Sequence, residues 1–164
     1  LFTIILRKKV VVMGRVDFYH LKKANIYFAA GKLIEKVIDQ RERVLVRTDS
    51  QIVSEEIDEF LWSYDLSNFL PHGKLSDPNS KYNPIHITNE KDNPNNANIL
   101  FIISTSKFSV AEIAKFKRTF ILFSDGDLNF FEPARQIWKE LGHLEIDRNY
   151  WTQEKSGWTL RDFI

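Results

Sequence analysis

At 164 residues, with 43% hydrophobic, 13% aromatic and 27% charged side chains, the chain can bury one core made of a sheet and its covering helices, and is too short for two such domains. It contains no cysteine, which excludes a disulfide framework, a thiolate zinc site, an iron–sulfur cluster and a cysteine nucleophile, and makes a reducing cytoplasm the expected compartment. The net charge of +1 hides a division, with +6 over residues 1–53, −5 over 54–98 and zero over 99–164; a generally basic nucleic-acid binder is disfavoured, because phosphate affinity needs cations gathered on one face.

The chain opens with an apolar run, Leu1 to Leu6, followed by Arg7-Lys8-Lys9. The run is too short to span a membrane, and it precedes the basic cluster, the reverse of a signal peptide. Residues 1–12 are therefore expected to be an extension ahead of a natural start at Met13, with 13–164 forming a single domain.

Val16 to Leu21 alternates like a strand and is rich in aromatic and β-branched residues. From Ala24 to Asp39, apolar residues recur at three- and four-residue spacing, predicting a helix. Arg43 to Thr48 is a short apolar strand between charges, of the kind covered on both faces. Asp49 or Ser50 can cap a second helix ending near Tyr64, with Ile52, Val53, Ile57, Phe60 and Leu61 inward and Glu55, Glu56 and Glu59 outward.

Asp65 to Asn98 is rich in Asn, Pro, Asp, Ser and Gly, with one strand-like stretch, Ile85 to Thr88. Ile99 to Ser104 reads as a central strand, Val110 to Phe116 as a short helix and Thr119 to Phe123 as another buried strand. Asp127 to Leu141 is the last helix, with Asn129 and Glu132 in a capping-box pattern, Pro133 in its first turn and Gly142 ending it. This alternation predicts a three-layer α/β/α sandwich, Rossmann-like, on a mostly parallel sheet.

Chemistry is sparse in this frame. The six glycines form no G-x-G-x-x-G fingerprint, and Gly31-Lys32 is followed by Leu33 rather than Ser or Thr, so no nucleotide-binding loop is expected. Gly31 is better explained by close helix packing. The four histidines, His20, His72, His86 and His143, have no metal-ligand spacing; His20 and His86 read as packed or hydrogen-bonded strand residues. Glu55, Glu56, Asp58 and Glu59 read as a solvated helix face. Ser104, Thr105 and Ser106 follow a strand without nucleophile-elbow glycines or a recognisable partner base. No cofactor and no catalytic site are expected. The competing enzyme reading is a metal-dependent nuclease or phosphatase whose His and Asp/Glu meet only in space, and another is direct single-strand binding through Trp138, Trp151 and Trp158.

Two surfaces look built for partners. Phe60-Leu61-Trp62 runs on into Asn68-Phe69-Leu70-Pro71-His72-Gly73, a loop with more apolar bulk than loops usually bury; it is either a docking patch or a plug for the core edge. On the last helix, a rotation of about 100° per residue puts Ala134, Ile137 and Leu141 inward, Trp138 at the border and Arg135 with Lys139 just beyond. A planar fork, a point charge and an apolar wall suit an acidic peptide that ends in a hydrophobic residue.

The sequence resembles the chi subunit of bacterial DNA polymerase III. The resemblance is carried by Val16-Asp17-Phe18-Tyr19, Arg43-Val44-Leu45-Val46, Asp58-Glu59-Phe60-Leu61-Trp62, Phe69-Leu70-Pro71-His72-Gly73, the strand from Ile99 to Ser104, and Ala134-Arg135 with Trp138-Lys139. It implies a non-catalytic adaptor in DNA replication with a Rossmann-like fold and no bound nucleotide. It further implies two partners: a psi-like clamp-loader subunit on Trp62 and Phe69 with Pro71 nearby, and the acidic C-terminal tail of single-stranded DNA-binding protein on Arg135, Trp138 and Lys139. DNA would be reached only indirectly, and no membrane is involved.

Overall fold

The computed structural model describes residues 14–163 apart from 23, 66, 104–107, 127 and 156, with only the backbone for 128–130. The expected extension at 1–12 and the Ser104-Thr105-Ser106 run lie outside the described residues. β1 (Arg15–Leu21) leads to α1 (Ile26–Asp39), β2 (Val44–Arg47), α2 (Gln51–Ser63), β3 (His72–Lys74), β4 (Ile85–Thr88) and β5 (Ile99–Ile103). The chain continues as α3 (Val110–Ile113), β6 (Arg118–Ser124), α4 (Leu128–His143), β7 (Arg148–Glu154) and β8 (Gly157–Arg161).

The strands form one eight-stranded sheet in the order β3-β4-β2-β5-β6-β1-β7-β8. Every pairing is parallel except β7 with β8. Side chains of the inner strands divide between the two faces, as the pleat requires: Val44, Val46, Phe101 and Ile103 meet Leu33 and Ile34 of α1 and Ile57 and Leu61 of α2. Leu45, Leu100 and Ile102 meet Val110 and Ile113 of α3 and Ala134, Ile137 and Leu141 of α4. The result is the expected three-layer α/β sandwich. β3, β7 and β8 were not expected, and they extend both ends of the sheet.

Local chemistry sets the helix ends. Asn25 caps α1, accepting from the Tyr27 and Phe28 amides, and Ser50 caps α2, accepting from Val53 N. Ser109 and Glu112 form a reciprocal capping box on α3. A Cβ on Gly31 would lie 2.8 Å from the Tyr64 ring, so this glycine permits close helix approach, as its lack of a phosphate-loop context suggested.

Four expectations are corrected. The inward face of α2 is Ser54, Ile57, Asp58 and Leu61, while Ile52 is 69% exposed and Val53 and Phe60 are half-buried. A hydroxyl contact of 2.6 Å between Thr48 and Ser54 rotates the helix so, and the inward Asp58 is tolerated because His72 and Lys74 lie 3.4 Å from its carboxylate oxygens. Asp58 therefore leaves the solvated acidic face, which keeps Glu55, Glu56 and Glu59. α4 is described from Leu128, within one residue of the expected start. Asn129 thus falls inside the helix and Pro133 in its second turn. Gly142 does not end α4, which continues to His143. The exit is made by Glu145 at φ 55°, with Ile146 N bonding Leu141 O at 3.1 Å and Glu145 N bonding Gly142 O at 3.2 Å, and with Ile146 and Leu141 in one core cluster.

Candidate functional site: two docking surfaces

Trp138 sits where α4 meets the sheet's far end. Its indole stacks on Phe163 at 5.2 Å and meets Phe18 edge-on at 5.3 Å, and the Arg148 guanidinium lies over it at 4.6 Å. An open cavity of about 350 Å³ lies against this ring, lined by Arg135, Trp138, Lys139, His143, Arg148 and Phe163, with Gly142 behind. Arg135, Trp138 and Lys139 are thus brought together as their helical spacing required. Arg135 reaches Glu132 at 3.6 Å, a pairing between partly exposed side chains one turn apart, which leaves the cavity open.

Arg148 and Phe163 escaped the sequence reading. They come from β7 and from the segment after β8, strands whose alternation is masked by polar residues on one side: Tyr150 and Thr152 are buried while Asn149, Trp151 and Gln153 are half-buried. The usable signal was distant: a Cβ on Gly142 would stand 2.6–2.8 Å from the Arg148 guanidinium atoms. Gly142 therefore makes room for the Arg148 guanidinium of β7 against α4 rather than stopping the helix. Around the cavity stand three permanent cations and an apolar floor, a combination that can grip a carboxylate attached to a hydrophobic group.

The second surface lies at the opposite end of the sheet, where α2 packs on β3 and β4. Trp62 and Phe69 are 57% and 66% exposed, with ring centroids 5.7 Å apart; neither plugs the core, a part taken by the buried Leu70. Pro71 is half-buried beside them. The loop is pinned from below: His72 Nδ1 donates to Leu70 O at 2.6 Å, and the His72 ring lies 4.7 Å from the Trp62 ring. An Asx turn, in which Ser67 N donates to Asp65 Oδ1 at 2.8 Å, and a hydrogen bond from Asn68 to Glu35 fix the rest. Two large apolar rings, one from the last turn of α2 and one from the loop after it, form an exposed patch that water covers poorly.

Three further titratable residues, Asp17, His20 and His86, are buried. Asp17 is fully buried and accepts hydrogen bonds from Arg15, Arg118 Nε at 2.7 Å, Trp151 Nε1 at 3.0 Å and Asn149 Nδ2 at 3.2 Å. Burial alone would raise its pKa, but these donors and the nearby guanidinium charges outweigh that and hold it below the usual carboxylate value. His20 is packed between Phe123 and Phe131 and hydrogen-bonded to Tyr150 and Asp125. His86 is buried, which pushes its imidazole pKa down. Among the described residues, no three His, Asp or Glu side chains converge as a metal site would require, and no helix is long and apolar enough to cross a membrane.

Comparison with known proteins identifies the family. Residues 13–155 match the family model described as "DNA polymerase III chi subunit, HolC". A curated relative from Rickettsia prowazekii (strain Madrid E), described as "Probable DNA polymerase III subunit chi", is 32% identical over 117 residues, 69% of this chain and 71% of the relative. A match over nearly the whole described domain, on an α/β sandwich of the expected layers, leads to one conclusion: the chain belongs to the DNA polymerase III chi subunit family, an accessory component of the replicative polymerase.

Proposed function

We propose that this protein is a non-catalytic adaptor that couples the clamp-loader side of the polymerase to single-stranded DNA-binding protein. The observation carrying this reading is the open cavity beside Trp138, where Arg135, Lys139 and Arg148 surround an apolar floor. An acidic tail ending in phenylalanine would place its terminal ring against Trp138 and Phe163, with its carboxylate and acidic residues facing the cations. Charge-assisted contacts of this kind contribute roughly 1.5–3 kcal/mol each. A segment that must order itself on binding gives back part of the gain, so an affinity of around micromolar, about −8 kcal/mol, is expected. Many tails on coated DNA raise the effective affinity through avidity.

The Trp62–Phe69 patch with Pro71 is assigned to a psi-like subunit, whose apolar side chains would cover the two exposed rings. No cofactor takes part, and DNA is approached through the tail-bearing protein. The test is a titration of a labelled tail peptide into the full chain and its Arg135→Ala variant. The variant is expected to keep its circular dichroism spectrum and bind at least about tenfold more weakly; equal affinity would overturn the site.

A further inference from the structure

β8 ends the sheet, and among the described residues β7 is its one neighbour. The peptide groups along such an edge are a template for another strand, and proteins usually blunt it with lysine, proline, a bulge or a covering element. β8 reads Gly157-Trp158-Thr159-Leu160-Arg161, with no lysine or proline, and its register with β7 runs without a bulge. Its single charge, Arg161, is paired to Glu154 at 2.6 Å. Trp158 and Leu160 lie on the sheet face that carries α1, but α1 packs chiefly over β2, β5 and β6. Trp158 is thus only half-buried, meeting Tyr19 edge-on at 4.9 Å, and Leu160 is 53% exposed.

The order of these residues is self-complementary. When two copies of β8 run antiparallel about Thr159, Trp158 faces Leu160 of the second copy and Gly157 faces its Arg161. The indole–leucine pair forms twice. Each one lengthens the apolar row in which Tyr19 stands beside Trp151 and Trp151 beside Leu160. The charges match as well. Gly157 is opposite Glu154 in the β7–β8 register, so Arg161 and the second copy's Glu154 share a row, two strand spacings or about 10 Å apart. Only a glycine lies between them, and a Cβ on Gly157 would meet nothing within 4 Å, which leaves the guanidinium a clear path. Arg161 then reaches a carboxylate from either copy, and no like charges are opposed.

We propose that a second copy of this chain docks on the β8 edge, joining two eight-stranded sheets into one about a two-fold axis at Thr159. The axis of such an antiparallel pair stands perpendicular to the sheet, so α4 of both copies lies on one side. Both cavities beside Trp138 come to that side, and the two Trp62–Phe69 patches stay at the far ends. The dimer itself is independent of the adaptor reading; its use rests on it, because paired cavities hold two acidic tails at once and the second is captured as an intramolecular event. One short strand from each copy is a small contact, so association in the range of about 10–100 µM is expected rather than an obligate dimer.

Sedimentation velocity of the full chain across a concentration series should show the mass rising from monomer to dimer. Leu160→Lys charges an already exposed position, so circular dichroism should be unchanged while dimer dissociation rises at least about tenfold. Arg161→Glu and Glu154→Arg each oppose like charges in the shared row and should dimerise poorly alone. Mixed together they should associate, since each then meets its opposite in the other copy. In hydrogen exchange, the β8 amides should gain protection as concentration rises. A chain that stays monomeric up to about 1 mM overturns the proposal. So does a dimer that survives Leu160→Lys without protection along β8, which is joined elsewhere, and so does a β8 edge protected in the monomer, which something other than a second copy covers. None of these outcomes touches the adaptor reading, which is tested with single tail peptides.

Discussion

Asp17 shows what one residue can decide. In sequence it is one polar position in an alternating strand; in the structure it joins three strands, since its partners Arg118, Asn149 and Trp151 come from β6 and β7. Removing one side of a buried, paired charge costs about 3–5 kcal/mol, and Asp17→Asn is expected to lose stability on that scale in urea unfolding. The pH dependence has a definite sign. The folded-state pKa lies below the ordinary value, so the carboxylate's contribution is complete above the usual carboxylate range and is lost as pH falls through the folded value. The variant's stability should consequently fall less steeply on acidification than that of the wild-type protein.

The elements differ in how legible they were. β2 and β5 were evident as apolar runs because both of their faces are covered, and α1 and α4 were evident because one stripe packs and the other is wet. α2 misled: Ile52 looked like a core residue, yet a serine and a paired aspartate face the sheet in its place. The identity of those inward residues depends on His72 and Lys74, which arrive from β3, so no local pattern could reveal it. Ile52→Lys should accordingly change stability by no more than about 0.5 kcal/mol. β3 has three residues and β8 an exposed pattern, too little for periodicity to register. Of the candidate site, the α4 trio was readable from helical spacing, whereas Arg148 and Phe163 needed the sheet to bring them across. At the end of α2 and on the loop after it, Trp62→Ala and Phe69→Ala are expected to leave stability within about 1 kcal/mol, because the rings are already wet. They should abolish capture of a psi-like subunit in a pull-down; undiminished capture would detach that partner from the patch.

At the scale of the whole molecule, the two surfaces differ in physics. Under the proposed function, the groove beside α4 would work through charge near solvent, where salt screens attraction over about 8–10 Å, while the Trp62–Phe69 patch would work through apolar area. Raising salt should weaken tail-peptide binding markedly and leave docking on the aromatic patch nearly unchanged or slightly stronger. Titrating both partners across one salt series separates the two, and parallel responses would argue against the division.

The strand order puts β3 at one border of the sheet and β8 at the other. Seven intervals of about 4.8 Å separate them by roughly 34 Å, and α2 and α4 lie on opposite faces of the sheet. Guests seated at both borders would have no steric reason to exclude one another. The span between them is one cooperatively hydrogen-bonded slab, so a molecule tugged from both borders would behave as a stiff spacer, its give confined to the guests' own flexible segments.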